Sequence, residues 1–244
     1  MRFVVNRLIA FIPLSCYTLT MRVPLTRFGL PQVVIYPLLV FLLMLVLFLV
    51  FRPAKWLIPA ELVLFLVFVW MLSFFRDPYR TIVPDETLLY SPADGTITDI
   101  STVDDSVLGA GALRIGMFLS VFNVHINRAP CAVRVEKVSY KKGQFINAMS
   151  ADSGRINESN DILMVRLSEP ADRLLVRQVS GAIARHIVCE AKESGEYRQG
   201  EPFGMIKFGS RTELYLCAGA QYEVTVKIGD AVRAGLTPLV RRLK

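Results

Sequence analysis

The chain reads as a mainly β domain standing behind an N-terminal transmembrane helical hairpin. Two observations predict this. Val33 to Phe51 runs nineteen residues without a charge, and Leu57 to Phe75 runs nineteen more with only Glu61 ionisable. After Phe75 the texture changes to short β-rich runs separated by turn residues. The 53% hydrophobic content and the mean hydropathy of +0.43 are therefore concentrated in one region rather than spread along the 244 residues.

Each apolar run is long enough to cross a bilayer, which takes roughly 20 residues at 1.5 Å per residue. Both runs are apolar all round, without the stripe of a helix that covers a soluble core. The short link Arg52-Pro-Ala-Lys-Trp56 makes the pair an antiparallel hairpin. Arg22 and Arg27 before it and Arg76 and Arg80 after it outnumber Arg52 and Lys55 in the link, which places both ends in the cytoplasm. Met1 to Thr20 is a third apolar stretch, broken by Arg2, Arg7 and Pro13, and an interfacial helix is one form it can take. Ser15-Cys16 matches a lipoprotein cleavage site only by chance, because Pro13 stands where Leu is expected. The organisation is an N-terminal segment 1–32, a hairpin 33–75 and a β-rich domain 76–244.

From Leu88 onward, strands are expected at Gly95 to Val103, Leu113 to Asn127, Ala132 to Tyr140, Ile162 to Ser168, Leu174 to Val179, Glu213 to Leu216 and Tyr222 to Ile228. Arg185 to Glu190 is ambiguous by periodicity. Breaks fall at Asp104-Asp105, Lys141-Lys142-Gly143, Glu169-Pro170 and Gly219. An internal echo links Lys192-Glu-Ser-Gly-Glu-Tyr-Arg-Gln-Gly-Glu-Pro202 to Lys227-Ile-Gly-Asp-Ala-Val-Arg-Ala-Gly-Leu-Thr-Pro238. Its turns resemble those of biotinyl- and lipoyl-type barrel-sandwich domains, and the repeat predicts two β-hammerheads packed as a duplicated hybrid.

Charge narrows the function. Of the +7 net charge, residues 1–75 carry +5 and residues 76–244 only +2. The excess lies beside the apolar runs, where anionic headgroups attract it, and no basic stripe suits a nucleic acid. The cysteines Cys16, Cys131, Cys189 and Cys217 form no C-x-x-C pair, and with only two histidines neither a zinc site nor a disulfide framework is expected.

Three segments carry candidate chemistry. Ser91-Pro-Ala-Asp-Gly95 sets Asp94 on a tight turn, where a carboxylate can orient an imidazole. In Phe118-Leu-Ser-Val-Phe-Asn-Val-His-Ile-Asn-Arg-Ala-Pro130, a strand would put Asn123, His125 and Asn127 on one face. In Phe203-Gly-Met-Ile-Lys-Phe-Gly-Ser-Arg-Thr-Glu-Leu-Tyr-Leu216, Gly209 before Ser210 permits a bent backbone in which the hydroxyl approaches the preceding carbonyl. Each alone is also an ordinary turn, structural histidine or bulge.

In that order the segments resemble the short bacterial form of the phosphatidylserine decarboxylase family, with support from Phe74-Phe-Arg-Asp-Pro78, Gly143-Gln-Phe-Ile-Asn-Ala148 and Asn157-Glu158. The resemblance covers residues 70 to 244. It implies self-cleavage between Gly209 and Ser210, with His125 as base and Asp94 as its support, and a covalent pyruvoyl cofactor made from Ser210. It further implies a membrane phospholipid substrate, large and small fragments (1–209 and 210–244) held together, and a place on the cytoplasmic side of the inner membrane. Self-association beyond that pair is left open. Arg128, Phe145 and Asn147 are candidates for the lipid headgroup. The second histidine of the long form is replaced by Arg128, so its roles fall on His125 or on another residue; His186 is read as structural. The alternatives are an archaetidylserine decarboxylase, a relative that has lost activity, and a membrane-tethered barrel-sandwich binding or carrier module, against which Lys207 lies on an expected strand rather than at the tip of a turn.

Overall fold

The computed structural model describes residues 24–52, 54–150, 152–182, 186–207, 209–218 and 221–243. The expectations for residues 1–20, including Ser15-Cys16, and for Arg22 lie outside these. The two apolar runs form α1 (Gln32–Phe51) and α2 (Leu57–Phe74). Only 11% of each helix's most apolar stretch is covered by protein, which excludes a pair of soluble-core helices. The two helices are long and apolar enough to cross a membrane, and they leave a ladder of Leu, Val and Phe side chains exposed.

The remaining chain forms β1 (Leu88–Tyr90), β2 (Gly95–Asp105), β3 (Gly109–Leu119), β4 (Ile126–Arg128), β5 (Val133–Lys141), the one-turn helix α3 (Ser153–Ile156), β6 (Ser159–Arg166) and β7 (Arg173–Val179). After these come β8 (His186–Cys189), β9 (Glu196–Tyr197), β10 (Pro202–Lys207), β11 (Ser210–Leu216), β12 (Tyr222–Val224), β13 (Ala231–Val232) and β14 (Pro238–Arg242). The mainly β expectation holds. The ambiguous stretch is a strand, and the last expected strand is shorter than its apolar run. The single strand expected over Leu113 to Asn127 is broken. Ser120 donates its backbone N–H and its hydroxyl to Asn123 Oδ1, both at 2.8 Å, which closes a turn between β3 and β4.

Pairing repeats within the fold. β1 pairs β14 as β4 pairs β10; β12 pairs β14 as β8 pairs β10; β13 pairs β2 as β9 pairs β5. The hairpin of β2 and β3 matches that of β5 and β6, and β11 flanks β3 as β7 flanks β6. One unit, β4 to β10, is thus nested inside another made of β1 to β3 and β11 to β14. The two meet where β11 pairs β7 in the middle of an eight-stranded sheet ordered β13-β2-β3-β11-β7-β6-β5-β9. The two echoed segments supply its edge strands β9 and β13, each followed by a turn into a strand that opens with proline.

That sheet curls. In a flat one, β2 and β5 would lie about 24 Å apart, five strand spacings. Ile97 of β2 and Val133 of β5 nevertheless share one apolar core with Ile115, Met117, Ile162, Val176 and Leu214. A second, smaller core joins the hairpin to this domain. It holds Phe28, Val33, Phe74, Phe75, Val124, Ile126 and Met205.

Candidate active site

The chain leaves the nested unit at Lys207 and re-enters the outer one at Ser210, so the Gly209–Ser210 bond lies in the crossover between the two copies. Gly209 has φ +66°, a conformation that favours glycine. Among the described residues only Val121 would meet a side chain there, at 3.8 Å, so the backbone conformation itself favours glycine. Ser210 opens β11, fully buried, and its Oγ has no hydrogen-bond partner among the described residues. A buried, unsatisfied hydroxyl costs about 1–3 kcal/mol and marks a group kept for something other than stability. On the other side of the bond, a Cβ at Gly181 would come within 2.2 Å of the Gly209 carbonyl oxygen. The absence of a side chain at 181 makes room for that carbonyl.

His125 faces the same crossover. Gly209 N–H donates to its Nε2 at 3.3 Å, and its Nδ1 lies 3.0 Å from the Asn123 carbonyl. A carbonyl can only accept, so Nδ1 carries the proton and the Nε2 lone pair accepts the Gly209 N–H at the crossover. The ring is fully buried and stacks against Phe74, with centroids 4.4 Å apart. Burial pulls its pKa down to about 4. The imidazole is therefore neutral at pH 7, and its unprotonated Nε2 is held on the N–H of Gly209, one residue before Ser210.

The other anticipated residues divide. Asp94 does not hydrogen-bond to the imidazole as expected. Its carboxylate receives Arg80 through two bonds of 2.7 and 2.8 Å and the Ala234 N–H at 2.8 Å. The Asn123 carbonyl orients the imidazole instead, because the turn that breaks the expected strand brings it beneath Nδ1. For the same reason Asn123, His125 and Asn127 do not share a strand face. Asn127 donates to Thr212 Oγ1 at 3.0 Å, fixing β4 to β11. Arg128, expected at a headgroup, is buried and donates to Asp77 Oδ1 at 2.7 Å and to the Gly200 carbonyl at 3.1 Å.

A cavity of about 260 Å³ opens beside the crossover, lined by Phe118, Ser120, Val121, Phe122, Asn147, Ala148, Ala182 and Gly209. Asn147 is thus at the site, whereas Phe145, in the same loop, is not among its walls. Asn157 anchors that loop. It accepts from Ile146 N–H at 2.8 Å and donates to the carbonyls of Ile146 and Ser180 at 2.9 and 2.8 Å. Larger hollows around Ile82 and Gln199 contain none of these residues.

Beyond the bond, Arg211 is fully buried. It donates to Glu213 Oε1 and Thr98 Oγ1, both at 2.7 Å, and pairs with Asp99. Gly116 and Gly154 leave the space these side chains fill. Gly181 escaped the sequence reading, which named Phe74, Arg80 and Asn123 without the contacts they make here. Only the Ser-x-x-Asn spacing of the 120–123 turn offered a signal.

Fold and site together define a duplicated β domain behind two helices long and apolar enough to cross a membrane, with a Gly–Ser crossover beside a neutral histidine. The family model described as phosphatidylserine decarboxylase matches residues 67–239. Among curated relatives, the phosphatidylserine decarboxylase proenzyme of Carboxydothermus hydrogenoformans is 42% identical over 181 residues, 74% of this chain and 83% of the relative. That of Rhodopirellula baltica is 39% identical over 219 residues, 89% of this chain and 88% of the relative. The proenzyme of Gluconacetobacter diazotrophicus is 42% identical over 195 residues, covering 78% and 83%. The chain belongs to the phosphatidylserine decarboxylase family.

Proposed function

We propose that the chain is a proenzyme that cuts itself between Gly209 and Ser210 and then decarboxylates phosphatidylserine to phosphatidylethanolamine. The observation that carries this reading is the buried Ser210 Oγ, without a partner among the described residues, beside a left-handed Gly209 whose N–H is bonded to the unprotonated Nε2 of His125. Ser210 Oγ attacks the Gly209 carbonyl carbon while His125 Nε2 takes its proton. Collapse moves the acyl group from nitrogen to oxygen. Loss of the Cα proton of residue 210 expels the Gly209 carboxylate, leaving a dehydroalanine whose hydrolysis releases ammonia. The fragments are 1–209 and 210–244.

The residues fit a pyruvoyl group at position 210: the site is buried, it adjoins a cavity, and a base stands beside it. Such a group supplies a ketone that binds a primary amine and an amide carbonyl that accepts the electrons freed when carbon dioxide leaves. Asn147 and the walls of the 260 Å³ cavity would surround the headgroup. Phe118 and Phe122 would exclude water, and protonated His125 would return a proton to the product carbon.

The family relatives favour the phosphatidyl lipid over an archaetidyl one. A carrier module would need an exposed lysine on a turn, and Lys207 lies within β10, 4% exposed. Both ends of the hairpin on the cytoplasmic side of the inner membrane suits the charge pattern, with the substrate delivered within the bilayer. Mass spectrometry of the purified protein tests the reading. The expected result is a fragment beginning at 210 that resists Edman degradation and reacts as a ketone. An active protein with an intact serine at 210 overturns it.

A further inference from the structure

The base of the hairpin grips both sides of the crossover. From α2, Phe74 is 1% exposed and covers the His125 ring at 4.4 Å, tilted by 38°. Phe75 meets Phe74 edge to face at 5.2 Å, and Trp70, one turn up the helix, packs on it at 6.0 Å. Just past the helix, Arg76 Nη2 donates to the Phe122 carbonyl at 2.8 Å, on the turn that leads to His125. From α1, the Gln32 side-chain carbonyl accepts Lys207 Nζ at 3.1 Å, two residues before Gly209. No described carboxylate lies within ion-pair distance of Lys207, so this helix-borne amide is its recorded acceptor.

We propose that Phe74 is a positioning residue for His125, and that seating of the hairpin base on the β domain is a condition for self-cleavage. This rests on the reading of Ser210 and His125 above. The physical reason is local. The imidazole has one hydrogen-bond acceptor at Nδ1 and one donor at Nε2, which fix the ring in its plane, and Phe74 closes the face that water would otherwise reach. Removing that cover frees the ring to tilt, which takes Nε2 out of line with the peptide and slows proton transfer, and it hydrates the ring, which returns its pKa toward the ordinary value. The charged groups that act on the imidazole are Arg76, which disfavours its cation, and Asp94, which favours it. The hairpin thus becomes part of the cutting machinery as well as an anchor.

The test uses the full chain synthesised into liposomes, following the ratio of intact to cut chain with time on denaturing gels. Phe74→Ala is expected to slow cleavage about tenfold or more, the scale of a misplaced general base. The low-pH limb of its rate should move up from near 4 toward 6.5, the ordinary histidine value. Phe74→Tyr, which keeps the ring, should restore most of the rate. Should Phe74→Ala fail to accumulate, Phe74→Val is read the same way. Truncated variants that cut at the unaltered rate with an unmoved limb overturn the inference. A wild-type chain that is active but never cut overturns instead the self-cleavage reading, and this one with it.

Discussion

His125 accepts a hydrogen bond at Nε2 from the backbone N–H of Gly209, so the base touches the residue whose carbonyl Ser210 must attack rather than the serine itself. The uncut state holds the histidine at the peptide with its lone pair engaged. In the proposed cleavage Nε2 would exchange the Gly209 N–H for the Ser210 hydroxyl, which has no hydrogen-bond partner among the described residues.

His125→Ala should leave the chain intact, with cleavage slowed by about 10²–10⁴-fold. In the native chain the rate should hold as pH falls to 5 and drop near 4, where the imidazole takes a proton. Stability follows the same group. The folded pKa lies below the unfolded 6.5, so the unfolded chain binds more protons between the two values. The contribution is complete above pH 6.5 and is lost as pH falls toward 4, at most about 3 kcal/mol. Urea midpoints of Ser210→Ala with and without His125→Gln, taken from pH 7 to pH 4, measure it.

Gly181→Ala should block cutting while Ser210 stays in place. Its methyl would press on the Gly209 carbonyl oxygen, 2.2 Å away before relaxation, and turn that carbonyl from the serine. An intact chain with an unchanged far-ultraviolet circular dichroism spectrum is the expected outcome; normal cutting would show that the carbonyl has room to move.

Asp94 and Arg80 should behave as one unit. Either alanine substitution strands a charge that is largely buried, a loss of about 3–5 kcal/mol. Double-mutant thermal melts should show that the two losses do not add. If Asp94→Ala abolishes cutting while Arg80→Ala leaves it intact, the carboxylate acts on the imidazole directly.

Arg211→Met should destabilise the uncut Ser210→Ala chain by about 3 kcal/mol or more, because Glu213 would lose its closest cation inside the fold. Adding Glu213→Gln should recover part of the loss. Reversible denaturation of the two variants decides.

Much of this was legible in the sequence. The hairpin announced itself because a bilayer demands length and uniform apolarity, both visible residue by residue. The echoed turns before Pro202 and Pro238 signalled duplication, and the order of the Asp94, His125 and Gly209–Ser210 segments signalled the family. Partners across space were not legible. Nothing near Asp94 in the chain announces that Arg80 takes its carboxylate. Arg128 reads as exposed until Asp77, 51 residues away, is seen against it. The break at Ser120–Asn123 was hidden by apolar residues on both sides, and it decided which group holds the imidazole.

The nesting of one β unit inside the other has a consequence for the protein's lifetime. The strand that begins at Ser210 sits between β3 and β7, so both pieces of a severed chain share the middle of the largest sheet. An intact chain that opens can close again by itself. After the proposed cut, recovery would require two molecules to meet, and the broken bond would not be remade. Endurance of the mature form is then set by how rarely the sheet opens rather than by an equilibrium. Heat inactivation should become one-way at the moment of maturation.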